Sequence, residues 1–193
     1  MRLVTYQSLE AVERLKKDGY LIMEEDKFSY TAIALFDKDN SFSNFKNAYE
    51  YIINRMNKLL PPKEDKRCFY PIWAWYKMNG KRKPTKVFDK IHKDHYRIIF
   101  EIDDEKVLLS DFDMFCYIAG GGLYFKKDPE KEDDEELDLS MFPTYEDFYD
   151  NYDQMLDINH KEDGYYYFSN RHNTVQATFW KLDLDMVIEI KKV

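Results

Sequence analysis

Apolar runs in this chain are short, and few long helical patterns separate them. That spacing constrains the fold more than any other feature. "RLVTYQ" at 2–7 alternates apolar and polar side chains, as a half-buried strand does. "YLIM" at 20–23, "FYPIWAWYKM" at 69–78, "YRIIFEI" at 96–102 and "EKVLLS" at 105–110 also read as strands. The end, "TVQATFWKLDLDMVIEIKKV", reads as strand, turn and strand. The turn "DDE" between 96–102 and 105–110 predicts a β-hairpin. Parallel neighbours need a crossover of a dozen or more residues. Strands this close therefore predict an α+β domain, with a mixed or split, mainly antiparallel sheet of roughly seven to nine strands and flanking helices.

Helices are marked by their ends. "SLEAVERLKKDG" has Ser8 as N-cap, Leu9, Val12 and Leu15 on one face, and Gly19 as its stop. Ser41 or Ser43 caps a longer helix through "NFKNAYEYIINRMNKLL", closed by Pro61 and Pro62. Ser110 or Asp111 caps "FDMFCYIAGG", with Asp113 favouring the dipole of its first turn, and Thr144 caps "TYEDFYDNYDQMLD". "TAIALF" at 31–36 is a strand or a helix start, and "LYF" at 123–125 a short strand. The acidic run 128–138, "DPEKEDDEELD", reads as a solvated loop. With 193 residues and no Gly/Ser linker, 1–193 reads as a single domain.

A net charge of −8 argues against a uniformly cationic nucleic-acid binder but leaves room for a local patch. No apolar stretch approaches the roughly 20 residues that span a bilayer. Cys68 and Cys116 lie in aromatic runs and read as buried free thiols. With no apolar leader in "MRLVTYQSLE", the expected place is the cytoplasm, and no membrane contact is expected. There is no GxxxxGK[ST] loop, no strand-linked GxGxxG, no GxSxG and no CxxC. The "HKDH" of His92 and His95 matches no common zinc spacing, so no metal is expected.

What stands out is "CFYPIWAWYKMNGKRKPTK", where Trp73 and Trp75 precede a cationic run. On a strand the two indoles share a face. They read either as core or as a stacking wall, with Trp73 deeper and Trp75 nearer solvent because Lys77 shares the face. Beside such a wall, Lys81, Arg82, Lys83, Lys86 and Arg97 would neutralise phosphates, the way sequence-tolerant nucleotide binding is built.

"TYQ", "AYEYIINRM", "YPIWAW", "VLLSDFD" and "VQATFW", in that order, resemble a bacterial family catalogued only as a domain of unknown function, of the DUF3841 type; the likeness covers nearly the whole chain and implies no activity. More narrowly, 2–22 and 175–190 are similar in layout to ADP-ribosyltransferase folds, notably their DNA-targeting toxin branch. That likeness implies an ADP-ribosyltransferase-like fold and NAD as cofactor, with Tyr6 and Gln7 contacting ribose and nicotinamide amide. It implies catalytic positions at Gln176 and Thr178, where Thr178 stands in the place of the usual glutamate. Transfer from NAD needs a carboxylate to balance developing positive charge. Glu101 and Asp111 are the candidates to supply one.

Two functions follow. One is an NAD- or nucleotide-binding domain related to ADP-ribosyltransferases, acting on nucleic acid or protein. The alternative is a non-catalytic module that grips nucleic acid or an acidic partner with its aromatic and basic face.

Overall fold

An alternating strand ought to bury one face, yet in β1 (Arg2–Gln7) Leu3, Val4 and Thr5 are all buried. Both faces of its sheet are covered there. The computed structural model describes residues 1–24, 42–120, 153–158 and 173–193. β1 is joined by β3 (Ile72–Lys77), β4 (Tyr96–Glu101), β5 (Leu108–Asp111), β6 (Val175–Phe179) and β8 (Val187–Lys192). They form one six-stranded sheet in the order β5-β6-β3-β1-β4-β8, antiparallel at every pairing. β2 (Tyr20–Ile22) and β7 (Lys181–Asp183) form a separate two-stranded sheet. The architecture is the expected α+β, with a split antiparallel sheet.

The hairpin expected between β4 and β5 does not form. β4 pairs with β1 and β8, whereas β5 lies at the far edge against β6. A two-residue hairpin needs positive φ at its turn. Among the described residues only Gly19, Asn79 and Gly80 have it. Asp104–Lys106 instead winds into a 3₁₀ turn that carries the chain across to the opposite edge. The Asn79-Gly80 pair does make a tight turn, with φ of 47° and 75° and Met78 and Lys81 bonded across it.

α1 (Leu9–Asp18) starts where Ser8 Oγ accepts the Ala11 N–H at 3.2 Å. It stops at Gly19, whose φ of 80° lets its N–H reach the Leu15 carbonyl at 3.0 Å. Its buried Val12 and Leu15 join Leu3, Ala74, Ile98, Phe100 and Phe179 from one sheet face and Leu21 and Leu182 from the small sheet. Each such side chain contributes about 1.5–3 kcal/mol of burial.

The second cluster gathers Ala48, Ile52 and Met56 of α2 (Phe42–Leu59) with Met114 and Phe115 of α4 (Phe112–Ala119). Asp111 caps α4, its Oδ1 accepting the Met114 N–H at 3.0 Å. Cys68 is a buried free thiol, but Cys116, expected buried, is exposed. Met114, Phe115 and Ala119 take the apolar side of α4, and Cys116 falls off that stripe.

Between β3 and β4 lies α3 (Lys86–Ile91), a helix not marked in the sequence. Thr85 Oγ1 accepts the Phe88 N–H at 3.3 Å, and Phe88 packs against Val4 and Met78. Six residues are too few to be helical on propensity, so this tertiary anchor is what holds them. The elements expected at 31–36, at 123–125 and from Thr144 up to residue 152, with the acidic run 128–138, lie outside the described residues. No helix among the described residues is long and apolar enough to cross a membrane.

Candidate functional site

Strand alternation and register together select which side chains meet on the face opposite Leu3. β1 turns Val4 and Tyr6 to that face. Val4 lies opposite Trp75 on β3, and Trp75 and Trp73 lie opposite Gln176 and Thr178 on β6. α3 then crosses over. Phe88 meets the Trp75 ring edge-on at 5.1 Å, the Tyr6 hydroxyl donates to Asp89 Oδ1 at 2.8 Å, and His92 stacks on Tyr6 at 4.3 Å. A cavity of about 160 Å³ remains, lined by Thr5, Tyr6, Trp73, Ala74, Trp75, His92 and Gln176. A cavity of about 150 Å³ accommodates benzene, so this space suits one ring.

Its polar content is small and unusual. Gln176 is only 3% exposed, and its Nε2 has no hydrogen-bond partner among the described residues. Ser110, directly opposite on β5 and behind the lining, is also buried, and its Oγ has no partner among the described residues. Leaving a buried donor unpaired costs about 1–3 kcal/mol, and such groups are rare enough to need a reason. Burial and then the bond to Asp89 push the Tyr6 phenol well above its ordinary pKa, so it stays protonated. Burial, then the neighbouring His95, pull the His92 imidazole below its ordinary value, so it is neutral at pH 7. The seven lining residues include no carboxylate, ammonium or guanidinium. Among the described residues no cluster could hold a metal ion.

Tyr6, Trp75 and Gln176, singled out in the sequence, thus converge on one cavity from three strands. Gln7 does not, because alternation sends it to the other side from Tyr6, where its Nε2 donates to Thr5 Oγ1 at 2.8 Å. Thr178 is fully buried, and its Oγ1 donates to the Leu108 carbonyl at 3.3 Å, away from the cavity lining. Of the two candidate acids, Glu101 is exposed and paired with Arg2 at 2.9 Å. Asp111 is occupied as the helix cap and by Asn173 Nδ2 at 3.4 Å.

The cations divide. Lys81, Lys83 and Lys86 are exposed, with no acidic partner among the described residues, while the Arg82 guanidinium lies 3.7 Å from the centre of the Tyr76 ring. Arg97 is sequestered between Asp89 at 2.7 Å and Glu189 at 3.5 Å.

The two tryptophans are both half-buried. Trp73 donates to the Tyr49 hydroxyl at 3.0 Å and packs on Phe115, whereas Trp75 sits edge-on to Phe88 and Phe112. Lys77 was expected to open their shared face to water. A bulge after Trp75 shifts the register, and Lys77 Nζ donates to Asn173 Oδ1 at 2.9 Å. His92 was weighed in the sequence only against zinc spacing. Its role as a wall was hidden because α3 itself was not recognised.

The model of one family, described as a domain of unknown function (DUF3841), matches residues 2–188. No curated protein and no solved structure matches the chain.

Proposed function

The chain belongs to the DUF3841 family, a kinship that carries no activity, and from its site we propose that it is a nucleotide-binding domain. The cavity would take one planar ring, the nicotinamide of NAD or a nucleobase. The observation carrying this reading is the convergence of Tyr6, Trp75 and Gln176 on one ring-sized space with a buried amide whose nitrogen has no partner among the described residues. Aromatic walls supply stacking worth roughly 1–3 kcal/mol per base, and an amide both donates and accepts along a ring's polar edge. Kinship with ADP-ribosyltransferases remains part of the proposal, but binding is favoured over transfer. The lining offers no carboxylate, and Thr178, Glu101 and Asp111 are engaged elsewhere. The two free thiols support a reducing, cytoplasmic setting.

Calorimetry with NAD, nicotinamide and adenosine tests this. Heat of binding is expected from at least one of them, with affinity weakened in Gln176→Ala and retained in Gln7→Ala, whose side chain lies on the other side of the strand. No heat at millimolar ligand, or equal loss in both variants, would end the proposal.

One observation favours a second reading, contact with nucleic acid or an acidic partner: Lys81, Lys83 and Lys86, between the Asn79-Gly80 turn and the start of α3, lie exposed with no acidic partner among the described residues. Phosphate contacts release counterions and give a steep fall of affinity with salt. Gel shifts with single-stranded and duplex nucleic acid at two salt levels decide it. Unchanged binding by a charge-reversed Lys81/Lys83/Lys86 variant removes this reading.

A further inference from the structure

We propose that the cavity selects a poorly hydrated organic cation, an N-substituted pyridinium or a quaternary ammonium group, over a neutral group of the same shape. This deepens the reading of the cavity as a ligand site and rests on it. Four of its seven lining residues, Tyr6, Trp73, Trp75 and His92, are aromatic. The face of an aromatic ring is electron-rich and attracts a cation within about 6 Å of its centre, most strongly when the ring is Trp.

Tyr6 is tuned in the same direction. Its hydroxyl donates to Asp89 at 2.8 Å, which leaves more electron density on the phenol ring. Asp89 is balanced by Arg97 at 2.7 Å, so the carboxylate is already paired.

Among the described residues, nothing positive competes for the space. His92 is neutral at pH 7, Lys77 is held by Asn173, and Arg97 is held by Asp89 and Glu189. The lining also has no carboxylate, so a strongly hydrated ion such as a primary ammonium or a metal would lose its water without compensation. A cation with its charge spread over a ring or shielded by methyl groups loses far less. Gln176, buried and with no partner for its Nε2 among the described residues, then fixes orientation by bonding a polar substituent of the ligand.

Two isosteric pairs test this on the full chain by calorimetry at physiological salt. N-methylnicotinamidium is compared with 3-methylbenzamide, and choline with 3,3-dimethylbutan-1-ol, each the uncharged carbon isostere of its partner. In at least one pair the cation should bind about fivefold or more tightly than its neutral partner. The preference should shrink in Trp75→Leu, with thermal melting as the check on folding. Should Trp75→Leu not fold, Trp75→Phe, with its weaker π face, must show a smaller preference than the parent.

A preference in the pyridinium pair points to a planar cationic ligand. A preference in the choline pair alone keeps charge selection and removes the ring-binding reading. Equal affinities within each pair overturn charge selection while leaving ring binding intact, and no binding by any of the four compounds overturns both. A preference undiminished in the Trp75 variant assigns it to the net charge of the protein and overturns the proposal.

Discussion

Replacing Gln176 with methionine separates binding from stability in a single variant. The side chain is 3% exposed and its amide nitrogen has no partner among the described residues, so folding strips that group of water for no protein bond in return. The penalty for such a group is about 1–3 kcal/mol. Methionine is close in length and shape and demands no hydrogen bond, and swaps that conserve volume are well tolerated. Gln176→Met should therefore stabilise the ligand-free protein by about 1–2 kcal/mol, taking the lower part of that range to allow for imperfect packing. In a chain of this size that raises the melting temperature by roughly 2–8 °C. The same variant should bind its ligand roughly two- to twelvefold more weakly, the worth of one net hydrogen bond. Thermal denaturation followed by circular dichroism, paired with calorimetry, reads both numbers. Loss of more than about 1 kcal/mol of stability would refute the reasoning, because it would mean that the amide is satisfied in the folded state and is not held in reserve for a ligand.

Other consequences follow from the same geometry. Phe100→Ala, at a fully buried position against Phe179, should cost about 3–5 kcal/mol in chemical denaturation. Gly19→Ala meets open space around its new Cβ, yet φ of 80° makes it pay about 1–2 kcal/mol, measurable as a shift in urea midpoint. Arg97→Met leaves Asp89 half-buried without its cation, and thermal melts should show a loss larger than Asp89→Asn produces. The pKa of His92 is lowered on folding, so the unfolded chain takes up its proton first as the medium acidifies. Its contribution to stability is complete above the ordinary histidine range and falls as pH drops through that range. His92→Phe should flatten this acid limb, and an NMR titration should place His92 below its ordinary value.

Much of the local structure was legible because its causes are local. Ser8, Val12, Leu15 and Gly19 specify α1 within twelve residues, and a hydroxyl at one end with a positive-φ glycine at the other does not depend on the rest of the chain. The strands at 2–7, 72–77, 96–101, 108–111 and 175–179 are likewise legible as short alternating or apolar runs. The patterns also show that Tyr6 and Gln7, or Gln176 and their neighbours, must point to opposite sides of a strand.

Which side holds a site is another matter, and only the tertiary structure decided it. The order β5-β6-β3-β1-β4-β8 is a non-local choice, and it parted β4 from β5 because the 103–105 turn lacks the positive-φ residues that a hairpin requires. It put Gln176 opposite Trp75 from positions a hundred residues apart in the chain. α3, too short to exist on its own propensity, became a helix when Phe88 found Val4 and Met78, and in doing so brought His92 onto Tyr6. The sequence supplied an aromatic pair and a glutamine on a late strand. Long-range strand pairing and one tertiary anchor made them walls of a single cavity, since contacts between distant residues are set by the burial of whole faces and not by the spacing of neighbours.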